Sequence, residues 1–292
     1  MPTYHLIPDI GDFNDTIDDV DDGVQDYIWN RRRTLFLSVC LFSVVLSVGL
    51  WNLEISHYAH AARPPDRSVW LYPLAAYLLP IGLYLHFRAQ LQHLFMQQIA
   101  RAIGFRYQPT GSLHGLQAKF FELGSWRQVE DVLCGVYRGC PIEIFNYSFN
   151  VQQGKSSHTE HYTIFALTFD GVLPDIALAP RSFFAASSIE SAPDADVKVN
   201  LEGDFNKYFY LYAPKAFDVE IRVIFQPDLM MELIEKYQSY RIEIAGSRLY
   251  VVSPAICNKA QFLAAHDLID RLFDHIVPNL KEVARAPEPA PS

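Results

Sequence analysis

Two stretches of this chain carry no charged residue over the length of a membrane-crossing helix, and they restrict its possible folds more than any other feature. TLFLSVCLFSVVLSVGLWNL runs from Thr34 to Leu53, and SVWLYPLAAYLLPIGLYLHF from Ser68 to Phe87. At about 1.5 Å of rise per residue, each can cross a hydrocarbon core about 30 Å thick. A core helix of a water-soluble domain rarely stays uncharged on every face for that length, so both runs are predicted to span a membrane. Arg31, Arg32 and Arg33 precede the first and Arg88, Arg101 and Arg106 follow the second, against Arg63 and Arg67 between them. That asymmetry puts the connecting loop outside and both termini in the cytoplasm. Ser43 and Ser47 form a small-xxx-small pair that would let the two helices approach as a hairpin. Pro73 and Pro80 are expected to bend the second helix. Neither run contains Asp, Glu, Lys or Arg, which argues against a transporter or channel.

Ahead of the first run, Ile10, Phe13, Ile17, Val20, Val24 and Tyr27 repeat in steps of three and four, a heptad stripe. Asp9, Asp12, Asp15, Asp18, Asp19, Asp21, Asp22 and Asp26 lie between them. Repelling carboxylates with Gly11 and Gly23 disfavour a free helix. The segment reads either as a solvated acidic tail or as a helix that forms on docking, with Ile10, Phe13, Ile17, Val20 and Val24 as its partner-docking edge. A calcium loop fails, because Val20 takes the third ligand position and Trp29 the place of the bidentate Glu.

After the second run, Leu91, Leu94, Phe95, Ile99, Ala102 and Ile103 keep helical spacing until Gly104, a helix stop. From Glu130 the period changes to two. VLCGVYRG, a turn at Gly139-Cys140-Pro141, and IEIFNYSFNV read as strand, turn and strand, and HYTIFALTF as a third strand. Pairing the last two sets Tyr147 opposite Tyr162 and Phe145 opposite Ile164, with QQGKSS at the hairpin tip. KYFYLYA is a further strand, Pro227 opens a helix, and YRIEIAGSRLYVVSP is a second hairpin turning at Gly246-Ser247. A last helix covers Lys259 to Val283, with Pro278 bending or ending it.

The expected fold is α+β: a two-helix transmembrane hairpin followed by a cytosolic domain with a mainly antiparallel sheet and flanking helices. Its divisions are an acidic segment (1–33), the first span (34–53), an external loop (54–67), the second span (68–87), a juxtamembrane helix (88–104), the α+β domain (105–284) and a disordered tail (285–292).

QQGKSSHTEH, Gln152 to His161, offers two chemical motifs, and neither survives inspection. A phosphate loop needs a glycine where Phe149 stands and a helix after Gly154-Lys155-Ser156, where a strand pattern follows instead. His158 and His161, three apart on a strand, point to opposite faces; only His158 and Glu160 share one. Cys134 and Cys140 lack zinc-finger spacing, and in a reducing compartment they and Cys257 are expected to be small buried residues rather than disulfide partners. The acidic balance, with a net charge of -9, argues against nucleic acid. No cofactor, metal, nucleotide or catalytic residue is expected.

The order of the spans and the segments GVYRGCPIEIFNYSF, HYTIFALTF, LPDIALAPRSF, FNKYFYLYAP, IRVIFQPDLMMELIEKY and GSRLYVVSP resembles a bacterial family of two-pass membrane proteins, domain of unknown function 3137. The resemblance covers the second span and most of Gly104 to Leu272. It implies a bacterial inner membrane location and carries no catalytic residue over. Two functions stay open: a membrane-anchored module that binds a protein partner as scaffold, sensor or inhibitor, and a membrane-tethered enzyme built on scattered polar residues such as Glu143, His158, Glu160 and Asp170. The partners expected are the lipid bilayer and a protein.

Overall fold

A computed structural model describes most of residues 37–56, positions 60, 78 and 82, and residues 92–153, 156–171, 175–182 and 196–283. The docking edge from Ile10 to Val24, the tail and nearly all of the second apolar run lie outside the described residues. The chain divides into two compact units at Ile103.

The first unit is helical over 37–45, 47–53 and 92–102. Among the described residues no helix is long and apolar enough to cross a membrane. The burial along the first helix is inverted relative to a helix packed on a water-soluble core. Leu41 is 68% exposed, Phe42 67%, Val45 62% and Leu53 70%, whereas Ser43 and Ser47 are buried at 7% and 8%.

The second unit is α+β with a wholly antiparallel sheet of nine described strands. These are β1 (Arg106–Thr110), β2 (Ser125–Tyr137), β3 (Cys140–Gln153), β4 (Ser156–Thr168), β5 (Ile176–Pro180), β6 (Asp196–Lys198), β7 (Phe209–Pro214), β8 (Arg241–Ala245) and β9 (Arg248–Val252). Their order in the sheet is β1-β2-β3-β4-β9-β8-β5-β7-β6. Besides a single helical turn at Phe205–Tyr208, three longer helices accompany it: α1 (Asp218–Ile224), α2 (Pro227–Lys236) and α3 (Lys259–Val283). Gly104, at φ 70°, turns the chain into β1 where the sequence signals a helix stop.

The β3–β4 register is the one that alternation demands, with Tyr147 opposite Tyr162 and Phe145 opposite Ile164. A slip by one residue would send these rings to the other face. The β2–β3 turn differs from expectation. Arg138 (φ 47°) and Gly139 (φ 81°) form it, and Cys140 and Pro141 already pair with Tyr137 and Val136. Two consecutive left-handed residues match the twist of a tight hairpin, which a turn at Pro141 would not. α3 has the expected bounds, Lys259–Val283, and Pro278 does not end it, although that proline removes one helix hydrogen bond. Strand β2 begins five residues before Glu130, and the polar edge strand β1 precedes it.

Alternation divides the sheet into two buried faces. On one, α3 lays Phe262, Ala265, Leu268, Ile269, Leu272 and Ile276 inward, and the Phe262 ring lies 5.0 Å from that of Phe165. On the other, a single 3-10 turn (Lys119–Glu122) drops Phe120 and Phe121 onto Tyr147, Phe149, Tyr162 and Tyr250. Phe120 meets Tyr162 edge-on at 5.3 Å and Phe149 at 5.7 Å, geometries that aromatic quadrupoles favour. Replacing Tyr162 by Ala removes one ring from this cluster and is expected to cost about 3 kcal/mol. Thermal unfolding of the intact chain should show a Tm lowered by roughly 10 °C; a shift within experimental error would mean that the ring does not stabilise the core.

Candidate functional site

β9 pairs with β4 only from Ile164 to Thr168, while β3 accompanies β4 all the way to Ser156. The outer half of the β3–β4 ribbon therefore runs past its neighbour. Thr163 is the last residue tied on the β9 side: its N–H donates to the Ala255 carbonyl at 3.3 Å, and its carbonyl accepts from the Ser253 N–H at 3.0 Å. Backbone groups of alternate residues in an antiparallel strand point the same way. Ser157, Thr159 and His161 thus direct their N–H and C=O outward along an edge that no described strand pairs with.

On the ribbon's aromatic face, His158 Nε2 lies 3.0 Å from Glu160 Oε1, and the Tyr162 hydroxyl donates to Glu160 Oε2 at 3.1 Å. His161 lies on the opposite face, as its parity requires. Glu143 is six residues away from Phe149, the strand partner of Glu160, or about 20 Å along β3, and it pairs with Arg248 at 3.4 Å. Asp170 follows the far end of β4. The structure therefore does not bring Glu143, His158, Glu160 and Asp170 together. Among the described residues, no three His, Cys, Asp or Glu side chains converge as metal ligands.

Trp126 stands at the start of β2, beside the outer half of the ribbon, with 82% of its surface exposed. Its φ of 52° is left-handed, in a bulge between the Ser125–Asn150 and Gln128–Ser148 pairs. The Arg127 guanidinium holds the preceding loop, donating to the carbonyls of Leu123 (3.3 Å), Gly124 (3.2 Å) and Glu122. A non-glycine residue in this conformation costs on the order of 1 kcal/mol, and such strain concentrates where it serves a function. The sequence carries one weak signal for Trp126, an aromatic residue directly after Gly124-Ser125 and outside any alternating run.

Beyond the aromatic cluster, Arg241 and Glu243 sit two apart on β8, 1% and 2% exposed. The Arg241 Nε donates to Glu243 Oε1 at 2.6 Å, and Glu243 Oε2 accepts the Phe120 N–H at 3.1 Å. Arg241 also lies over the Phe120 ring, 5.5 Å from its centre. Gln117, Lys119, Asp175, Ala177, Glu243 and Ala245 line an adjoining cavity of about 50 Å³. It has room for a few waters, against the 300 Å³ or so of a typical small-molecule pocket.

On the helical face, a polar ladder crosses four strands. The Tyr107 hydroxyl and Asn146 Nδ2 donate to the buried Asp131 carboxylate at 2.7 and 3.0 Å, and Thr163 Oγ1 donates to Asn146 Oδ1 at 2.8 Å. Thr163 Oγ1 in turn accepts the Cys257 N–H at 2.9 Å. Burial pushes the Cys257 thiol up to about 11, leaving it protonated and inert at neutral pH. Cys134 and Cys140, expected to be buried, are half-buried, and all four cysteines are free.

α3 is fastened to the β2–β3 turn by Arg138, which meets Asp270 at 3.3 Å and Asp274 at 2.6 Å. The Tyr137 hydroxyl donates to Asp270. His266 is enclosed here by the edge of the Tyr137 ring (5.1 Å), Asp270 (3.9 Å), Asp267 and Arg138. Burial lowers its pKa from 6.5 to about 4 against the pull of the two carboxylates.

Two outcomes are expected. Removing one partner of the Arg241–Glu243 pair leaves a buried charge, so Glu243→Ala should cost about 4 kcal/mol in chemical unfolding, whereas Arg241→Met with Glu243→Leu should recover most of that. For His266, the unfolded chain binds a proton between about pH 4 and 6.5 that the folded chain refuses. Stability should therefore fall as pH drops through that window, by on the order of 3 kcal/mol. His266→Gln should flatten the Tm profile there, and an unchanged profile would contradict the assignment.

No protein-family model matches the chain, and no match is found among curated proteins. Among solved structures, the crystal structure of the mycobacterial trehalose monomycolate transport factor A, TtfA, is similar at 13% identity with a TM-score of 0.45. The match covers 69% of this chain and 98% of that one. A likeness at this level carries no argument about fold, activity or partner.

Proposed function

We propose that this chain is a membrane-anchored interaction module, acting as a scaffold, sensor or inhibitor at the cytoplasmic face of a bacterial inner membrane. The observation that carries the reading is the inverted first helix, which exposes Leu41, Phe42, Val45 and Leu53 while burying Ser43 and Ser47. Water penalises that arrangement by about 25 cal/mol for each Å² of apolar surface left exposed, whereas lipid does not. Small residues facing inward let helices pack closely where no hydrophobic drive separates helix from solvent. On this reading residues 34–53 and 68–87 form the two-span hairpin of the resembling family, and the α+β domain and both termini are cytoplasmic.

The domain's surface supports binding of a protein. Trp126 is a rigid aromatic anchor of the kind enriched in interfaces, and the Ser157–Thr159–His161 edge can accept an added strand. The aspartate-rich N-terminal segment is the second docking element, its Ile10, Phe13, Ile17, Val20 and Val24 edge seating on the domain or on a basic partner.

Topology and docking are tested separately. In a cysteine-free background, Ala61→Cys should label from outside intact cells and Ser292→Cys only after permeabilisation; external labelling of position 292 would overturn the orientation. A photo-crosslinker replacing Trp126 should yield one discrete adduct in membranes. Thr159→Pro, which blocks the open edge without touching a paired N–H, should reduce that adduct at least tenfold if both features serve one partner. A diffuse or absent adduct would overturn the docking surface.

A further inference from the structure

Between Ser156, where the β3–β4 ribbon closes, and Thr163, whose main chain is taken by Ser253 and Ala255, one edge of β4 has no described strand beside it. Ser157, Thr159 and His161 turn their N–H and C=O groups to that side, and all three are exposed. The residues between them, His158 and Glu160, lie on the aromatic face with 42% and 26% of their side chains exposed. The stretch is polar on both faces, and its histidine and glutamate are placed symmetrically about Thr159.

That symmetry selects a partner. An antiparallel strand added here must set its own outward-facing residues opposite Ser157, Thr159 and His161. If the added strand is β4 of a second copy, few registers remain. Centring the pair on His158 sets two histidines against each other, and centring it on Glu160 sets two carboxylates together; like charges directly opposite destabilise a sheet. Centring on Thr159 sets His158 against Glu160 of the other copy, twice, and Ser157 against His161. All three outward residues are then matched, forming about six main-chain hydrogen bonds. His158 and Glu160 fall in the non-hydrogen-bonded positions, where opposite Cα atoms are only about 4.5 Å apart. Such an isologous contact closes after two copies, so the edge is consumed rather than propagated.

We propose that this edge is a homotypic interface, in which two copies of the chain pair antiparallel through residues 157–161 with Thr159 on the two-fold axis. The inference rests on the reading of this edge as one that accepts an added strand, and it names the strand. Lacking apolar burial, the contact is weak. It depends on the effective concentration of copies confined to one membrane, and a strand that also reaches Trp126 would displace it.

The test is oxidative cross-linking of the full-length, cysteine-free chain in the membranes of expressing cells, with single cysteines returned to the edge. Thr159→Cys places two cysteines opposite each other at a Cα separation of about 5.5 Å, within disulfide range. It should give at least tenfold more dimer than Ser157→Cys, whose copies stand more than about 13 Å apart. Co-expressing Ser157→Cys with His161→Cys should recover the dimer. Adding His158→Glu to the Thr159→Cys chain should cut the dimer at least tenfold, and co-expression with a chain carrying Thr159→Cys, His158→Lys and Glu160→Lys should restore it. Equal products at positions 157 and 159, or a product indifferent to His158→Glu, would overturn the register and the proposal with it. No dimer from Thr159→Cys, while Thr159→Pro still suppresses the Trp126 adduct, would overturn the second copy as occupant and leave the added-strand reading standing. No dimer and no effect of Thr159→Pro would overturn both.

Discussion

Arg241 and Glu243 are charges that β8 carries into the interior, and a buried charge is tolerated only when it is paired and its remaining hydrogen-bonding capacity is met. Each condition here recruits a particular group. Arg241 meets Glu243 across one side of the strand; Glu243 takes the Phe120 N–H with its second oxygen, and the Phe120 ring lies over the guanidinium. The 3-10 turn is thereby held to one place on the sheet. Phe120 and Phe121 sit on that turn, so the pair also sets where the aromatic cluster closes over Tyr147, Phe149, Tyr162 and Tyr250. Buried ion pairs add little net stability compared with apolar substitutes. Their contribution here is specificity, fixing the cover of a face that would otherwise be open.

That cover explains which parts of the fold were legible in the sequence. The β3–β4 hairpin could be read to the residue because its alternation is unbroken and its rings leave only one workable register. The hairpin at Gly246-Ser247 and the Pro-led helix were legible for equally local reasons. Arg-Ile-Glu-Ile-Ala in β8 has the same alternation, yet its polar positions look outward-facing by pattern alone. They are buried because a loop more than a hundred residues earlier lies across them, and nothing local in β8 encodes that. β5 escaped notice since Ile176–Pro180 is apolar and short without a period, being buried on both faces. β1 escaped because Arg-Tyr-Gln-Pro-Thr has the composition of an edge, which need not alternate.

The site residues follow the same division. His158 and Glu160 sharing a face, with His161 opposite, is a consequence of strand parity and needed no coordinates. That one edge of β4 has no described strand beside residues 157–161 depends on where β9 ends along it, which no local pattern supplies. Trp126 depends on a bulge, where the strand period fails and a left-handed residue is turned out of the sheet.

The unpaired stretch of β4 raises a physical difficulty, because an open sheet edge invites indiscriminate pairing. Several features limit it here. Among the described residues only Ser157, Thr159 and His161 present outward backbone groups there, their side chains are polar and exposed, and none is a large aliphatic residue that would stabilise a dry interface between copies. The edge therefore offers main-chain hydrogen bonds without much apolar area, and main-chain bonds alone contribute about 1 kcal/mol each against water. A partner strand gains lasting affinity only by reaching an additional anchor, and the exposed ring of Trp126 is such an anchor on the same ribbon, across β3 from β4. Register links the two: Ser125 is opposite Asn150, and Asn150 is opposite Thr159. Anchor and edge are thus fixed two strands apart by the same hydrogen-bond ladder, so a partner must match both the backbone and the spacing, which makes the open edge selective.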